Sequence, residues 1–497
     1  MEWYSQGSFC KDLPTKPVPE TGIILVTGAS GYIGGRLVPE LLERGYRVRV
    51  MVRKYSEEQT ERWPEAEVVI ADAMNPDQLR WVMKDVAVAY YLMHSILPGK
   101  KEFIRSDMEA AVNFRTIAGE CGLKRIIYLA ASGDPGKTLE SGKQKDHYYV
   151  PDILREGKVP VTVLNAAIII GSGSASFELM RSIVRNIPVI ILPSWSKNKI
   201  QPVGIRDVIK YLVGVLETEL TTGKTYDIGS DDVLTYRDML KTMAKVLNKR
   251  RLFLPTPIRG IKLYSYLISL ISPVPTRMIA GLIRSIRKGA VMSDHSIREV
   301  IPFPTVRFKV SLLRAISREE HDRIATRWSD SYPPAHELAI KLSELEEPPR
   351  YISSYSIISY QKAKQIFEQI CGLGGKRGWF NMNFLWQVRG AIDRVFMGVG
   401  TARGRRSAHS LAINDVIDFW RVEDLVRNKK LLLRAEMKVP GKAWLEFVLD
   451  EVDNHNILIV TAYFQPKGYW GRIYWYLFLP FHYFIFKDIL RHLSKGV

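Results

Sequence analysis

The stretch GIILVTGASGYIGGRLVPELLERGYRVRVMVRK, residues 22–54, decides the fold. GIILVTG is an apolar, β-branched run of strand length, GGRLVPELLERG has the period of an amphipathic helix closed by Gly45, and YRVRVMVRK is strand-like again. Gly28, Gly31 and Gly34 fall three apart, directly after the first strand and directly before the helix. Glycines so placed allow a tight turn and let the backbone approach a pyrophosphate, whose charge then rests on the N–H groups of the helix N-terminus. A lone glycine pattern says little, but strand, turn and helix in this order point to a dinucleotide-binding turn.

Outward from the turn the alternation continues. AEVVIADA, VAVAYYLMHS, KRIIYLAAS and VPVTVLNAAIII predict a third to a sixth strand, with helical segments such as FIRSDMEAAVNFRTIAGECG between them. Strand and helix in alternation give an α/β fold, a doubly wound parallel sheet. An NAD-preferring site places an acidic residue at the end of the second strand. Here that strand ends at Arg53 and Lys54, so NADP(H) is expected in preference to NAD(H). Arg36, in the first helical turn, is a second candidate for the 2′-phosphate, and Asp72 after the third strand is placed to bond the adenine amino group.

From about residue 230 to 330 the periodicity loosens into helical pieces interrupted by Pro273 and Pro275, read as a cap over a substrate cleft. Prolines at both ends of the following segment mark residues 331–350 as a linker. Within 351–497 the alternating strands AINDVIDFWRVEDL, KKLLLRAEMKV, AWLEFVLDEVD and HNILIVTAYFQPK lead into an aromatic helix from about Trp470 to Leu493. This predicts an α+β domain, an antiparallel sheet with a long final helix, similar in outline to helix-grip ligand-binding domains. Residues 1–20 read as a flexible tail.

Lys and Arg number 71 against 52 Asp and Glu in 497 residues, a net charge of +19 that favours anionic surfaces. No zinc-finger or RNP-type pattern accompanies the charge, which argues against nucleic acid as a partner. Cys10, Cys121 and Cys371 are too few and too scattered for a disulfide framework or a cysteine-based metal site. The longest uncharged apolar run, Ile473 to Phe486, contains Pro480 and His482 and falls short of the ~20 residues that cross a bilayer. A cytoplasmic location is expected, with peripheral contact at an anionic inner membrane face through the Trp- and Tyr-rich final helix and Lys487, Arg491 and Lys495.

AYYLMHS, RIIYLAAS, AAIIIGSGSASFELMR, IQPVGIRDV and DVLTYRDML resemble the atypical, NmrA-like and extended branch of the short-chain dehydrogenase/reductase superfamily, and within it the YbjT-type proteins. GWFNMNFLWQVRGAIDRVFMGVGTARGRR, LLLRAEMKVPGKAWLEF and FQPKGYWGRIYWYLFLPFHYFIF resemble their C-terminal DUF2867 domain. The resemblance implies cofactor contacts at Gly28, Ser30, Gly31, Tyr32, Ile33 and Gly34, at Arg53, at Asp72 and Ala73, and at Leu92 and Met93 beside the nicotinamide.

The superfamily's Tyr-x-x-x-Lys dyad does not carry over. Tyr148 is followed four on by Asp152, and Tyr149 by Ile153. The spacing recurs at Tyr360/Lys364, Tyr463/Lys467 and Tyr483/Lys487, all in the C-terminal domain. Candidates for proton transfer are therefore Ser132 after the fifth strand, His94 after the fourth, and Lys143, Lys145, Tyr148 and Tyr149 in the loop that follows Ser132. No metal site is expected. The resemblance implies an NAD(P)(H)-dependent oxidoreductase acting on a hydrophobic small molecule, of lipid, isoprenoid or quinone-like character. A non-catalytic dinucleotide sensor or scaffold, like NmrA-like proteins or the accessory subunit of respiratory complex I, is the alternative. A nucleotide-sugar epimerase or dehydratase ranks last, because it normally uses the missing dyad.

Overall fold

The computed structural model describes residues 9–495 apart from 54–61, 94–100, 132–136, 142–143, 149, 257–259, 271, 273, 275, 290, 321–341, 346, 376, 396–397, 399, 401–410, 412, 414 and 453–454. Of 101–104, 131, 137–141, 144–148, 277, 318–320 and 344 it describes the backbone alone. Two compact units divide the chain: Met1–Ser265 with Thr276–Ser331, and Tyr266–Pro275 with Tyr332–Val497.

The first unit is built on seven parallel strands, β1 (Ile23–Thr27), β2 (Arg47–Val52), β3 (Glu67–Ile70), β4 (Val86–Tyr91), β5 (Arg125–Ala131), β6 (Val161–Ala166) and β7 (Thr225–Ile228). They lie in the order β7-β6-β5-β4-β1-β2-β3. A parallel strand buried on both faces needs a continuous apolar run, and β1 shows how the run is used. Ile24 and Val26 face Leu37 and Leu41 of helix α1 (Gly34–Glu43), while Leu25 faces Leu79 and Val82 of α2 (Pro76–Met83) and Phe114 of α3 (Lys101–Glu120). Two cores thus sandwich one sheet. The sixth predicted strand divides after Ala166, and Ile168–Ile170 leaves the main sheet to pair with Pro202–Gly204. The seventh strand, Thr225–Ile228, has too short an apolar run to be read from sequence.

The tail expected over residues 1–20 is packed from Phe9 onward. Phe9, Cys10 and Leu13 enter the core, and Glu40 of α1 accepts the amides of Phe9 and Cys10 at 2.8 and 3.0 Å. Arg44 bonds the carbonyls of Cys10 and Thr15 and pairs at 2.6 Å with Glu217, whose side chain is wholly buried. Glu217 also accepts the Tyr46 hydroxyl, so one carboxylate ties the segment to the sheet. Nothing in the composition of the tail announced these partners, because they lie on α1 and on the helix Ile205–Glu217.

The second unit is an antiparallel sheet of β8 (Tyr351–Ser359), β9 (Val416–Ile417), β10 (Trp420–Val426), β11 (Lys430–Ala435), β12 (Gly441–Val452) and β13 (His455–Pro466), in the order β8-β13-β12-β11-β10-β9. The final helix, Gly468–Lys495, lays Trp475, Phe486, Ile489 and Leu493 into its core, and Tyr351 stacks on Trp475 with centroids 5.5 Å apart. β8 escaped the sequence reading because its inward positions include Ser353 and Ser359, which make a strand look like linker. The linker expected over 331–350 lies largely outside the described residues. Tyr266–Pro275, expected in the cap, belongs to this unit, with the Tyr266 hydroxyl bonded to the Val395 carbonyl at 3.0 Å.

Candidate functional site

The strand order of this parallel sheet reverses between β1 and β4, the point at which open α/β sheets bind ligands beyond the carboxyl ends of their strands. The turn after β1 is shaped for that place. Gly28 has φ +65°, and a Cβ on it would stand 2.5 Å from the Leu92 carbonyl oxygen. A Cβ on Gly34 would stand 2.5 Å from the Gly28 carbonyl oxygen. Only glycine fits at either position, since both contacts are with backbone that cannot move aside.

The Gly31 amide closes the turn on the Gly28 carbonyl at 3.0 Å. Helix α1 then opens with no side-chain cap and no acidic residue in its first turn. An uncapped N-terminus without acids is the electrostatic complement of a phosphate. Thr27, which the sequence reading passed over, fixes the gap between the two strands. Its hydroxyl donates to the Tyr90 carbonyl at 2.9 Å and accepts the Leu92 amide at 3.2 Å. That bond brings the backbone of Leu92 and Met93 against Gly28. The residue type was visible in VTG; its role depends on a partner 65 residues away.

Arg53 is exposed one residue beyond β2. The Ala71 amide bonds the Val52 carbonyl at 2.9 Å, so Asp72 stands at the neighbouring strand end, on the same edge of the sheet as Arg53. Asp72 is exposed and uses Oδ1 to accept the Met74 amide at 3.0 Å, a turn that holds Ala73 beneath it. Ser30 and Ile33 are half-buried within the turn.

One neighbour, Arg36, differs from expectation. Arg36 is buried and cannot serve a 2′-phosphate: its guanidinium donates to the Tyr32 and Ser172 carbonyls, each at 2.9 Å, and lies 4.2 Å over the Tyr32 ring. Tyr32 in turn packs against Gly171, where an added Cβ would meet its hydroxyl at 2.5 Å. Both side chains brace the turn against the loop after Ile170.

Ser132, His94, Lys143 and Tyr149 lie outside the described residues. Tyr148 closes a hairpin in which Lys137–Ser141 pairs antiparallel with Gln144–Tyr148. The segment read as a loop is therefore extended, and it is not the helix on which Tyr and Lys four apart would share a face. Of the Tyr-x-x-x-Lys pairs in the second unit, Tyr463 donates to Glu446 at 2.6 Å, and burial followed by that carboxylate pushes its phenol up to about 12, the reverse of what a dyad needs. Tyr483 does receive Lys487 at 2.7 Å, which lowers its phenol, but on an exposed helix surface of the second unit.

Residues 28–169 match the family described as NAD(P)H-binding, and residues 347–489 match a protein family of unknown function, DUF2867. The chain is an NAD(P)-binding Rossmann protein with a C-terminal DUF2867 domain. UDP-glucose 4-epimerase of Vibrio cholerae is 24% identical over 278 residues, covering 49% of this chain and 81% of that one. Protein BRI1-5 ENHANCED 1 of Arabidopsis thaliana is 30% identical over 114 residues, covering 21% of this chain, which thus spans only 30% of that relative's length. Among solved structures, the Citrobacter sp. triphenylmethane reductase complexed with NADP(H) is 18% identical with a TM-score of 0.47, covering 59% of this chain and 99% of that one. The proteins to which the NAD(P)-binding unit is similar thus include an epimerase and a reductase. A nicotinamide cofactor supplies or accepts hydride itself, and the glycine turn and its neighbours are the residues that would hold and orient it.

Proposed function

We propose that this protein is an NADPH-dependent oxidoreductase that reduces a hydrophobic carbonyl or quinone-like compound. The observation that carries the reading is the edge of the sheet beside the glycine turn: β2 runs out into exposed Arg53, with no carboxylate at the position that would bond a ribose 2′-hydroxyl. A cation there suits a 2′-phosphate. A hydrophobic substrate is supported by the small parallel sheet of Val189–Pro193 and Leu252–Thr256, whose cross-strand pairs Val189–Leu252 and Ile191–Leu254 turn apolar side chains outward. The proton would come from the set Ser132, Tyr148, Tyr149, Lys143 and His94, in place of the missing dyad.

The hairpin that replaces the dyad helix favours one second reading, a dinucleotide sensor that binds without turnover. Fluorescence of bound NADPH separates the two. Oxidation of NADPH on addition of membrane lipid extracts, isoprenoid aldehydes or quinones is the expected result. Tight NADPH binding with no oxidation across that panel would establish the sensor, and NADH bound more tightly than NADPH would overturn the cofactor assignment.

A further inference from the structure

The final helix of the second unit carries a feature that neither the cofactor site nor the core explains. Its inward row, Gly471, Trp475, Phe486, Ile489, Leu490 and Leu493, is buried against the sheet. Its outward row is equally apolar: Tyr469, Trp470, Tyr476, Leu477, Phe481 and Phe484 are all exposed, Trp470 at 73% and Leu477 at 62% of their surface. With exposed Ile473 between them, these positions fall mostly at three- and four-residue steps and form one stripe, roughly 24 Å long at 1.5 Å per residue. Six such side chains offer on the order of 500 Å² of apolar surface to solvent, more than scattered exposure accounts for.

The same stripe continues without a break into Lys487, Arg491 and Lys495, all exposed. The one acidic residue of the helix, Asp488, is turned to the chain, where it accepts the Asn381 amide and side chain, each at 3.1 Å. The outward row is therefore aromatic over its first four turns and purely cationic over its last two or three. That charge pattern chooses the occupant. A second copy packed antiparallel would press three cations onto aromatic and aliphatic side chains with no acid to meet them, and a parallel one would oppose like charges. A bilayer with anionic headgroups meets both halves, since Trp and Tyr rings settle at headgroup depth while Lys and Arg reach phosphate. Among the described residues no helix is long and apolar enough to cross a membrane.

We infer that the outward face of Gly468–Lys495 docks this protein peripherally on an anionic phospholipid surface. The docking does not depend on the reductase reading. The test is sedimentation of the full-length protein with vesicles of phosphatidylcholine alone and of phosphatidylcholine with 30% phosphatidylglycerol, with Trp fluorescence as a second readout. Binding to the anionic vesicles is expected to be at least ~10-fold tighter than to the neutral ones and to weaken with salt. The triple variant Lys487→Glu, Arg491→Glu, Lys495→Glu should bind anionic vesicles on the order of 100-fold more weakly. Leu477→Ser with Phe484→Ser should lose binding to both compositions by ~10-fold or more at an unchanged melting temperature. Wild-type protein left in the supernatant with anionic vesicles would overturn the inference. So would vesicle binding untouched by both variants, or a solution dimer that the Leu477→Ser, Phe484→Ser variant splits without any change in vesicle binding.

Discussion

In the first unit the candidate ligand-binding residues are small or exposed and stand at strand ends or, for Gly34, at the start of a helix: Gly28, Gly34, Arg53, Asp72. In the second unit the most constrained residues are large or charged and lie inside. Trp379 and Trp386 stack with centroids 4.5 Å apart, Trp386 meets Phe419, and Arg421 is buried against Glu436 at 2.6 Å. The first arrangement leaves an edge open for a partner, and the second closes on itself. A unit whose demanding positions are all spent on its interior announces its fold in the sequence and leaves its purpose to its surface, which is where the outward row of the final helix becomes informative.

The comparison breaks most easily at Glu436. Its wholly buried carboxylate takes Arg421 Nε at 2.6 Å and Nη2 at 3.3 Å, with Arg434 at 3.7 Å. Glu436→Ala leaves two guanidinium groups in the interior facing a cavity, at a cost of about 3–5 kcal/mol. Denaturant unfolding followed by Trp fluorescence should show the second unit melting early, while NADPH affinity stays at the wild-type value. A fall in cofactor affinity of more than a few-fold would show that the two units are not independent.

Gly34→Val tests the opposite side. Its Cβ must displace the Gly28 carbonyl or the Ala29 backbone, 2.5 and 2.6 Å away, and the turn cannot then keep its shape. Cofactor affinity should fall by on the order of 100-fold, about 3 kcal/mol, measured by fluorescence titration. Retained affinity would remove the glycine turn from the binding site.

Asp207, in the first turn of the helix Ile205–Glu217, has no exposure, and burial pushes its carboxyl from 3.8 to about 6 even though the Val306 amide donates to it and Lys210, Arg314 and Arg206 lie near. A folded-state value above the unfolded one means that the fold prefers the protonated acid. Stability from this group is greatest below about pH 4, falls as pH rises to about 6, and is level beyond, a total of about 2–3 kcal/mol. Asp207→Asn should remove that slope: the variant's melting temperature relative to wild type should rise between pH 4 and 6.5. A difference independent of pH would mean that the carboxyl titrates normally.

How much was legible follows the same division. The glycine spacing, the basic end of β2 and the alternation of the sheet could be read because each depends on residues within a few positions of one another. The roles of Thr27, Arg36 and Glu217 could not. Each is fixed by a partner between 63 and 173 residues distant, at Tyr90, Ser172 and Arg44, and no local pattern encodes such a meeting. Arg36 shows the hazard in reverse, a cation in the right turn of the right helix whose guanidinium is already committed to two carbonyls. β8 failed for a related reason, since inward serines such as Ser359, bonded to the Ser494 carbonyl at 3.1 Å, satisfy a helix end and not an apolar core.

The smallest expected effect is the most discriminating. Arg53 is exposed, so an interaction with a 2′-phosphate would be screened by water and salt and would be worth about 1 kcal/mol, far less than a buried pair. Arg53→Asp replaces that attraction with repulsion and offers a carboxylate to the ribose hydroxyls. The ratio of NADPH to NADH affinity should therefore drop by ~10- to 100-fold, mostly through weaker NADPH binding, and the drop should shrink at high ionic strength. The fold has no stake in the exchange, so the melting temperature should not move. If the ratio is unchanged at low salt, the strand end does not read the phosphate, and the preference must come from residues further along, beginning with Lys54. If both affinities fall together, Arg53 holds the pyrophosphate instead, and the site binds dinucleotides without choosing between them.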